Sequence, residues 1–166
     1  DFAQAHYNLG TALKEKGDLN SAILSFQKAL KIKPDLEKAH NNLGTALQEK
    51  GDLNSAINYY QNAIKLNPNY QEAHNNLGTA LQENGDLDSA IPCFKKALQI
   101  KPDFAQAHNN LGTALQENGD LDSAIDSYQN AIKLNPDSQE AHNNLGTALK
   151  NKGDLNSAIL SFQKAL

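Results

Sequence analysis

The sequence contains no tryptophan, no methionine and no arginine, and it has a single cysteine. Each absence closes off some chemistry. All 15 basic residues are lysine, so the planar guanidinium fork that grips phosphate and carboxylate bidentately is missing. Together with a formal net charge of −4, this argues against nucleic-acid, phosphopeptide and anionic-membrane partners. Cys93 alone can form neither an intramolecular disulfide nor a thiolate metal cluster, which fits a reducing compartment. No run approaches the roughly 18 apolar residues of a membrane span, and no signal peptide opens the chain, so the expected location is the cytoplasm. Hydrophobic residues make up only 39% of the 166 and must be spaced periodically to hold a fold. The first residue is Asp1 rather than Met, and both termini fall inside the sequence pattern, as expected of a segment of a longer array.

That pattern is a 34-residue period. The string A-H-N-N-L-G-T-A-L begins at Ala39, Ala73, Ala107 and Ala141, and A-H-Y-N-L-G-T-A-L begins at Ala5. Five units follow, 1–34, 35–68, 69–102, 103–136 and 137–166, the last truncated, with no insertion or linker between them. The expected organisation is a single array over 1–166. A longer period overlies it. Units one and three end in K-A-L-x-I-K-P, units two and four in N-A-I-K-L-N-P, which suggests duplication of a two-unit block.

Within a unit the spacing predicts helix, turn, helix. In unit one, Ala5, His6, Leu9, Ala12 and Leu13 share one helical face. Gly17 suits a left-handed helix end, Asp18 an N-cap, and Leu19, Ala22, Ile23, Phe26 and Leu30 form the second stripe. Pro34 stops that helix. Asp35 is expected to cap the next, with capping boxes at Asn69–Glu72 and Asp137–Glu140. Neither helix can bury its stripe alone, so stability must come from stacked neighbours. Gly10, Ala22 and Ala29 mark close approaches, and Phe26, Tyr60, Phe94, Tyr128 and Phe162 are the expected core fillers. Pro92 falls inside a second helix, where a kink is expected. Cys93 aligns with Ser25, Tyr59, Ser127 and Ser161 and is read as an incidental thiol.

Binding has to come from residues that stacking leaves over. A polar stripe runs along each first helix: Gln4-Asn8-Thr11-Glu15, then Lys38-Asn42-Thr45-Glu49, Glu72-Asn76-Thr79-Glu83, Gln106-Asn110-Thr113-Glu117 and Glu140-Asn144-Thr147-Asn151. Beside it stand Tyr7, Asn41, Asn75, Asn109 and Asn143, and Gln48, Gln82 and Gln116. An Asn amide offers one acceptor and a donor group, matching both groups of a peptide unit, so an extended protein segment is the expected ligand. The five histidines, His6, His40, His74, His108 and His142, lie one per unit on separate helices. Packed helix axes sit roughly 8–10 Å apart and zinc–imidazole bonds are about 2 Å, so packing rather than metal binding is expected. No catalytic constellation and no phosphate loop is present. No enzyme activity, cofactor, metal or small-molecule substrate is expected.

His6-x2-Leu9-Gly10-x2-Leu13, then Ala22-x3-Phe26, then Pro34, resembles the tetratricopeptide signature W-x2-L-G-x2-Y, A-x3-F, P. His replaces Trp and Leu replaces Tyr. The resemblance spans essentially the whole chain and implies an all-α fold, a right-handed α-solenoid of five antiparallel hairpins and ten helices, with the first helices lining a concave groove. Asn8, Asn42, Asn76, Asn110 and Asn144 are similar to the asparagine ladder in the tetratricopeptide arm of O-linked N-acetylglucosamine transferases, and the repeats also resemble bacterial arrays. A chaperone-adaptor carboxylate clamp would need basic residues where Tyr7, Asn41 and Asn75 stand. The alternatives to a peptide-binding scaffold are the targeting arm of a larger enzyme and a structural array. Phe2, Ala5 and Leu9 at one end and Ile159, Phe162, Ala165 and Leu166 at the other are expected to stay open, favouring head-to-tail association. Residues 1–68 carry 8 Lys against 7 acids, residues 69–136 carry 4 against 9, so basic ligand residues should favour the middle units.

Overall fold

Hydrophobic stripes at helical spacing, separated by Gly-Asp and Pro-Asp or Pro-Asn turns, fold into helices whose ends those turns set. A computed structural model describes residues 2–166, and among them there are ten α-helices and no strand. The chain forms two compact units, one reaching to Gly85 and one starting at Asp86, so the division falls inside the third repeat. The first unit holds α1 (Phe2–Glu15), α2 (Leu19–Ile32), α3 (Glu37–Glu49), α4 (Leu53–Leu66) and α5 (Gln71–Glu83). The second holds α6 (Leu87–Ile100), α7 (Ala105–Glu117), α8 (Leu121–Leu134), α9 (Gln139–Lys152) and α10 (Leu155–Ala165). No described helix is long and apolar enough to cross a membrane.

The turn inside a repeat follows the sequence closely. Gly17 takes φ +84°, a left-handed conformation that other L-residues resist. Asp18 then caps α2, its Oδ1 accepting from the Ser21 backbone N–H at 3.1 Å, and hydrogen bonding to Ser21 holds its carboxyl below the ordinary range. Asp52, Asp86, Asp120 and Asp154 repeat the bond.

The turn between repeats does not follow the expected capping. Asp35 and Asn69 do not cap α3 and α5, whose N-cap residues are Leu36 and Tyr70 with no side-chain bond. Asn69 is instead held in the turn, donating its N–H to Asn67 Oδ1 at 3.1 Å, and the helix starts after it. At α9 the cap is Ser138, accepting from Ala141 N–H, rather than Asp137. Asp35, Asn69 and Asp137 each stand one residue before the N-cap position and so are not the residues that cap the helix.

Packing is sequential. In the first unit α1 pairs with α2, α2 packs on α3, α3 pairs with α4, and α4 packs on α5; in the second, α6 packs on α7 and the pattern continues to α10. The aromatics expected in the core are there: Phe26, Tyr60, Phe94 and Tyr128 are fully or almost fully buried, and Phe162 is half-buried. Phe26, Tyr60, Tyr128 and Phe162 each lie against a glycine, Gly10, Gly44, Gly112 and Gly146. A Cβ on Gly44 would lie 2.8 Å from the Tyr60 ring, and one on Gly112 would lie 2.6 Å from Tyr128. Leu43 and Ala46 of α3 close over Ile23 and Phe26 of α2, with Leu47 packed beside them. Ala46 is therefore buried, whereas its α1 counterpart Ala12 is exposed, as are Phe2, Ala5 and Leu9. On α10, Leu155, Ile159 and Leu160 are exposed. Helix α6 runs unbroken through Pro92, which is exposed like Leu24, Asn58, Asp126 and Leu160. Cys93 is half-buried, and burial pushes its thiol up to about 11.

Candidate functional site

The first helices of successive repeats lie side by side within each unit, α1 beside α3 and α3 beside α5, and α7 beside α9. They present the polar stripes as parallel rows. Adjacent rows are tied by bonds between residues 35 apart, one more than the repeat, because the residue a first helix turns to the next repeat is followed in sequence by the one it turns to the preceding repeat. Asn42 Nδ2 donates to the Tyr7 hydroxyl at 3.2 Å, Asn76 Nδ2 to Asn41 Oδ1 at 3.1 Å, and Asn144 Nδ2 to Asn109 Oδ1 at 3.2 Å. Near the other end of the helices, Lys14 pairs with Glu49 at 3.6 Å and Gln48 Nε2 donates to Glu83 Oε1 at 2.9 Å.

These bonds separate the candidate binding residues into two sets. Asn41, Asn75 and Asn109 are buried, at 5%, 6% and 5% exposure. Asn41 and Asn109 sit in seams between first helices, where they serve as acceptors for the next repeat, and a ligand cannot reach most of the surface of any of the three. Asn143 is exposed. Asn8 is exposed and Asn42, Asn76, Asn110 and Asn144 are half-buried, so the column at the eighth position of each repeat remains accessible in part. Thr45, Thr79 and Thr113 turn their hydroxyls onto backbone carbonyls of their own helices, at 3.1–3.2 Å. Gln82 is half-buried and Lys38 exposed.

Gln48 and Gln116 are oriented from the core. The Tyr60 hydroxyl donates to Gln48 Oε1 at 2.7 Å and lies 3.3 Å from Thr45 Oγ1. Tyr128 makes the same approach to Gln116 at 3.4 Å and Thr113 at 3.2 Å. Burial raises both phenols, Tyr60 to about 12, against the opposing effect of the threonine hydrogen bond. Tyr70, at the start of α5, is also raised to about 12, by burial first and by Glu72, Tyr7 and Glu37 nearby. Sequence reasoning placed Tyr60 and Tyr128 in the core but missed that their hydroxyls cross it to the polar face. The alternation of Tyr with Phe at this position was the available signal.

The histidines have a use that spacing did not disclose. His40, His74, His108 and His142 each set Nε2 2.9–3.0 Å from the carbonyl of the proline six residues earlier, Pro34, Pro68, Pro102 and Pro136. A carbonyl only accepts, so Nε2 carries the proton, and each ring ties a first helix to the turn before it. No group of three His, Cys, Asp or Glu among the described residues is placed to hold a metal ion.

Two clefts open at overlapping positions between first helices, the second reaching also to Ala131 and Asn135. In the first unit, Gln4 and Tyr7 of α1 face Leu36, Glu37, Lys38 and Ala39 across a cleft of about 310 Å³. In the second unit, Gln106 and Asn109 face Ser138 and Glu140 across one of about 60 Å³, where Asn109 Nδ2 donates to Glu140 Oε1 at 2.9 Å.

Two profiles described as tetratricopeptide repeat match residues 41–105 and 93–126, and one described as TPR repeat matches residues 10–51 and 114–153. No curated protein sequence matches. Among solved structures, MamA is 29% identical, with 94% of this chain and 91% of that one covered and a TM-score of 0.85. TTC0263, a thermophilic TPR protein in Thermus thermophilus, is 25% identical, with coverage of 99% and 90% and a TM-score of 0.80. YrrB, described as a TPR protein with an unusual peptide-binding site, is 21% identical, with coverage of 96% and 82% and a TM-score of 0.78. At that identity the likeness to YrrB is one of fold.

Proposed function

The chain belongs to the tetratricopeptide-repeat family, a fold that supports protein–protein interaction, and on that premise we propose that it holds an extended segment of a partner protein along the rows of its first helices. The carrying observation is the accessible asparagine column. Asn8, Asn42 and Asn76 lie on α1, α3 and α5 of the first unit, and Asn110 and Asn144 on α7 and α9 of the second, each exposed or half-buried, and bonds across the seams fix Asn42 on Tyr7, Asn76 on Asn41 and Asn144 on Asn109. Packed helices are roughly 8–10 Å apart and an extended chain rises about 3.3 Å per residue, so one amide meets the ligand backbone about every third residue. Neutral amides and hydroxyls recognise such a backbone without demanding one side-chain sequence, and they recognise rather than react. Binding, not turnover, is the role this face supports.

Changing Asn8 and Asn76 to Ala tests the reading, with peptide affinity and thermal melting measured on the same samples. Each neutral hydrogen bond contributes about 0.5–1.5 kcal/mol net, so the pair should weaken binding several-fold. Asn8 bonds only within its own helix, to Gln4 at 2.8 Å, so its change should leave the melt in place. Unchanged affinity with both asparagines removed would discard the column as a binding element.

A second reading, association between copies, is favoured by the exposed Phe2 and Leu9 on α1 and Leu155, Ile159 and Leu160 on α10. Sedimentation across a concentration series tests it: a monomer at every concentration removes it.

A further inference from the structure

Resting on the reading of the first-helix face as the place where a partner segment lies, we propose that the cleft between α1 and α3 is an anchor pocket for an aromatic side chain of that segment, tyrosine above all. The two clefts, which share four corresponding positions, make the case. Between α7 and α9 the chain fills its own cleft, because Asn109 reaches Glu140 at 2.9 Å and about 60 Å³ remains, room for little more than water. Between α1 and α3 the corresponding residues are Tyr7 and Lys38, which leave about 310 Å³ open.

The walls of the open cleft define what it takes. Tyr7 is held in place on two sides, its ring 6.0 Å from that of Phe26 and tilted at 51°, its hydroxyl accepting from Asn42. It therefore offers a fixed aromatic wall, extended by Leu36 and the buried Ala39. Glu37 and Lys38 stand together on the rim, one charge of each sign. A cationic side chain meets Lys38 and an anionic one meets Glu37, so neither suits the site as a whole. An aromatic ring suits both: its negative face attracts an ammonium, and its positive edge, or a phenol O–H, faces a carboxylate. Tyrosine adds a donor that Glu37 or the Gln4 carbonyl oxygen can accept.

Fluorescently labelled Ser/Thr/Ala peptides with one central Tyr, Lys, Glu or Ala provide the probe, read by anisotropy against the whole chain. The Tyr peptide should bind about tenfold tighter than the Ala peptide, equivalent to about 1.4 kcal/mol. In Tyr7→Asn with Lys38→Glu, which rebuilds the Asn109–Glu140 arrangement, the ratio of the two affinities should fall to near one. If loss of the Tyr7 packing unfolds that variant, Lys38→Glu alone, at an exposed position, should still lower the ratio. Equal affinity for Tyr and Ala peptides in the unaltered chain, tighter binding of the Lys or Glu peptide, or a ratio that survives both substitutions overturns the pocket while leaving the face as a binding surface. Failure of every peptide to bind overturns the pocket and the binding face together.

Discussion

The two units are built from the same repeats, yet their first-helix rows are tied differently. In the first unit the seams are bonded near both ends of the helices, by Tyr7–Asn42 and Asn41–Asn76 at one end and by Lys14–Glu49 and Gln48–Glu83 at the other. In the second unit Asn109 takes two partners, accepting from Asn144 and donating to Glu140, and the farther end of α9 is held by Lys152 against Asp122 of α8. Where the second unit satisfies its polar groups internally, the first leaves a cleft. The difference comes from a few side chains at fixed positions, Tyr7 against Asn109 and Lys38 against Glu140, with the backbone pattern unchanged. A repeat framework thus varies its surface without altering its packing.

The comparison can be broken most forcefully at the shared core. Tyr60→Ala and Tyr128→Ala should each cost about 3–5 kcal/mol by denaturant unfolding, because both rings are fully or almost fully buried. A cost near zero at either would mean that the two units do not share one packing rule. Next come the glycines facing those rings. Gly112→Ala should cost about 1–3 kcal/mol through overpacking and Gly44→Ala somewhat less, since the added Cβ meets Tyr128 at 2.6 Å but Tyr60 at 2.8 Å.

The hydroxyls give a finer contrast. Tyr60→Phe should cost about 0.5–1.5 kcal/mol, and Tyr128→Phe less, because the bond to Gln48 is 2.7 Å and that to Gln116 is 3.4 Å. Tyr60, together with Tyr70, should make stability fall in alkali. The unfolded chain loses a tyrosine proton near pH 10 while folded Tyr60 and Tyr70 keep theirs to about 12. The unfolded state then binds fewer protons, and stability declines as pH rises across that window. Tyr60→Phe should flatten the decline, which a melting series between pH 9 and about 12 would show. The smallest effect belongs to Lys14→Gln, which removes a partly exposed ion pair and should cost less than about 1 kcal/mol. That small cost should disappear in high salt.

The sequence alone determined the period, the helices and their turns, the family, and the aromatic core. All of these follow from spacing along one chain: apolar residues at three and four, Gly and Asp at each hairpin turn, and Phe or Tyr opposite a recurring glycine. Even there the turns between repeats were misread, because Asn69 and Asp137 have cap-forming side chains but stand too early to cap the helix that follows. Tertiary structure alone decided which asparagines remain for a ligand. Asn41 and Asn42 are neighbours of one residue type, yet one is buried in a seam and the other half-exposed, because Asn41 meets the first helix of the next repeat and Asn42 that of the preceding one. The reach of Tyr60 across the core to Gln48, the hold of His40 on Pro34 and the open cleft beside Tyr7 were hidden for the same reason. Each depends on what a neighbouring helix sets opposite a side chain, and periodicity within one helix carries no record of that.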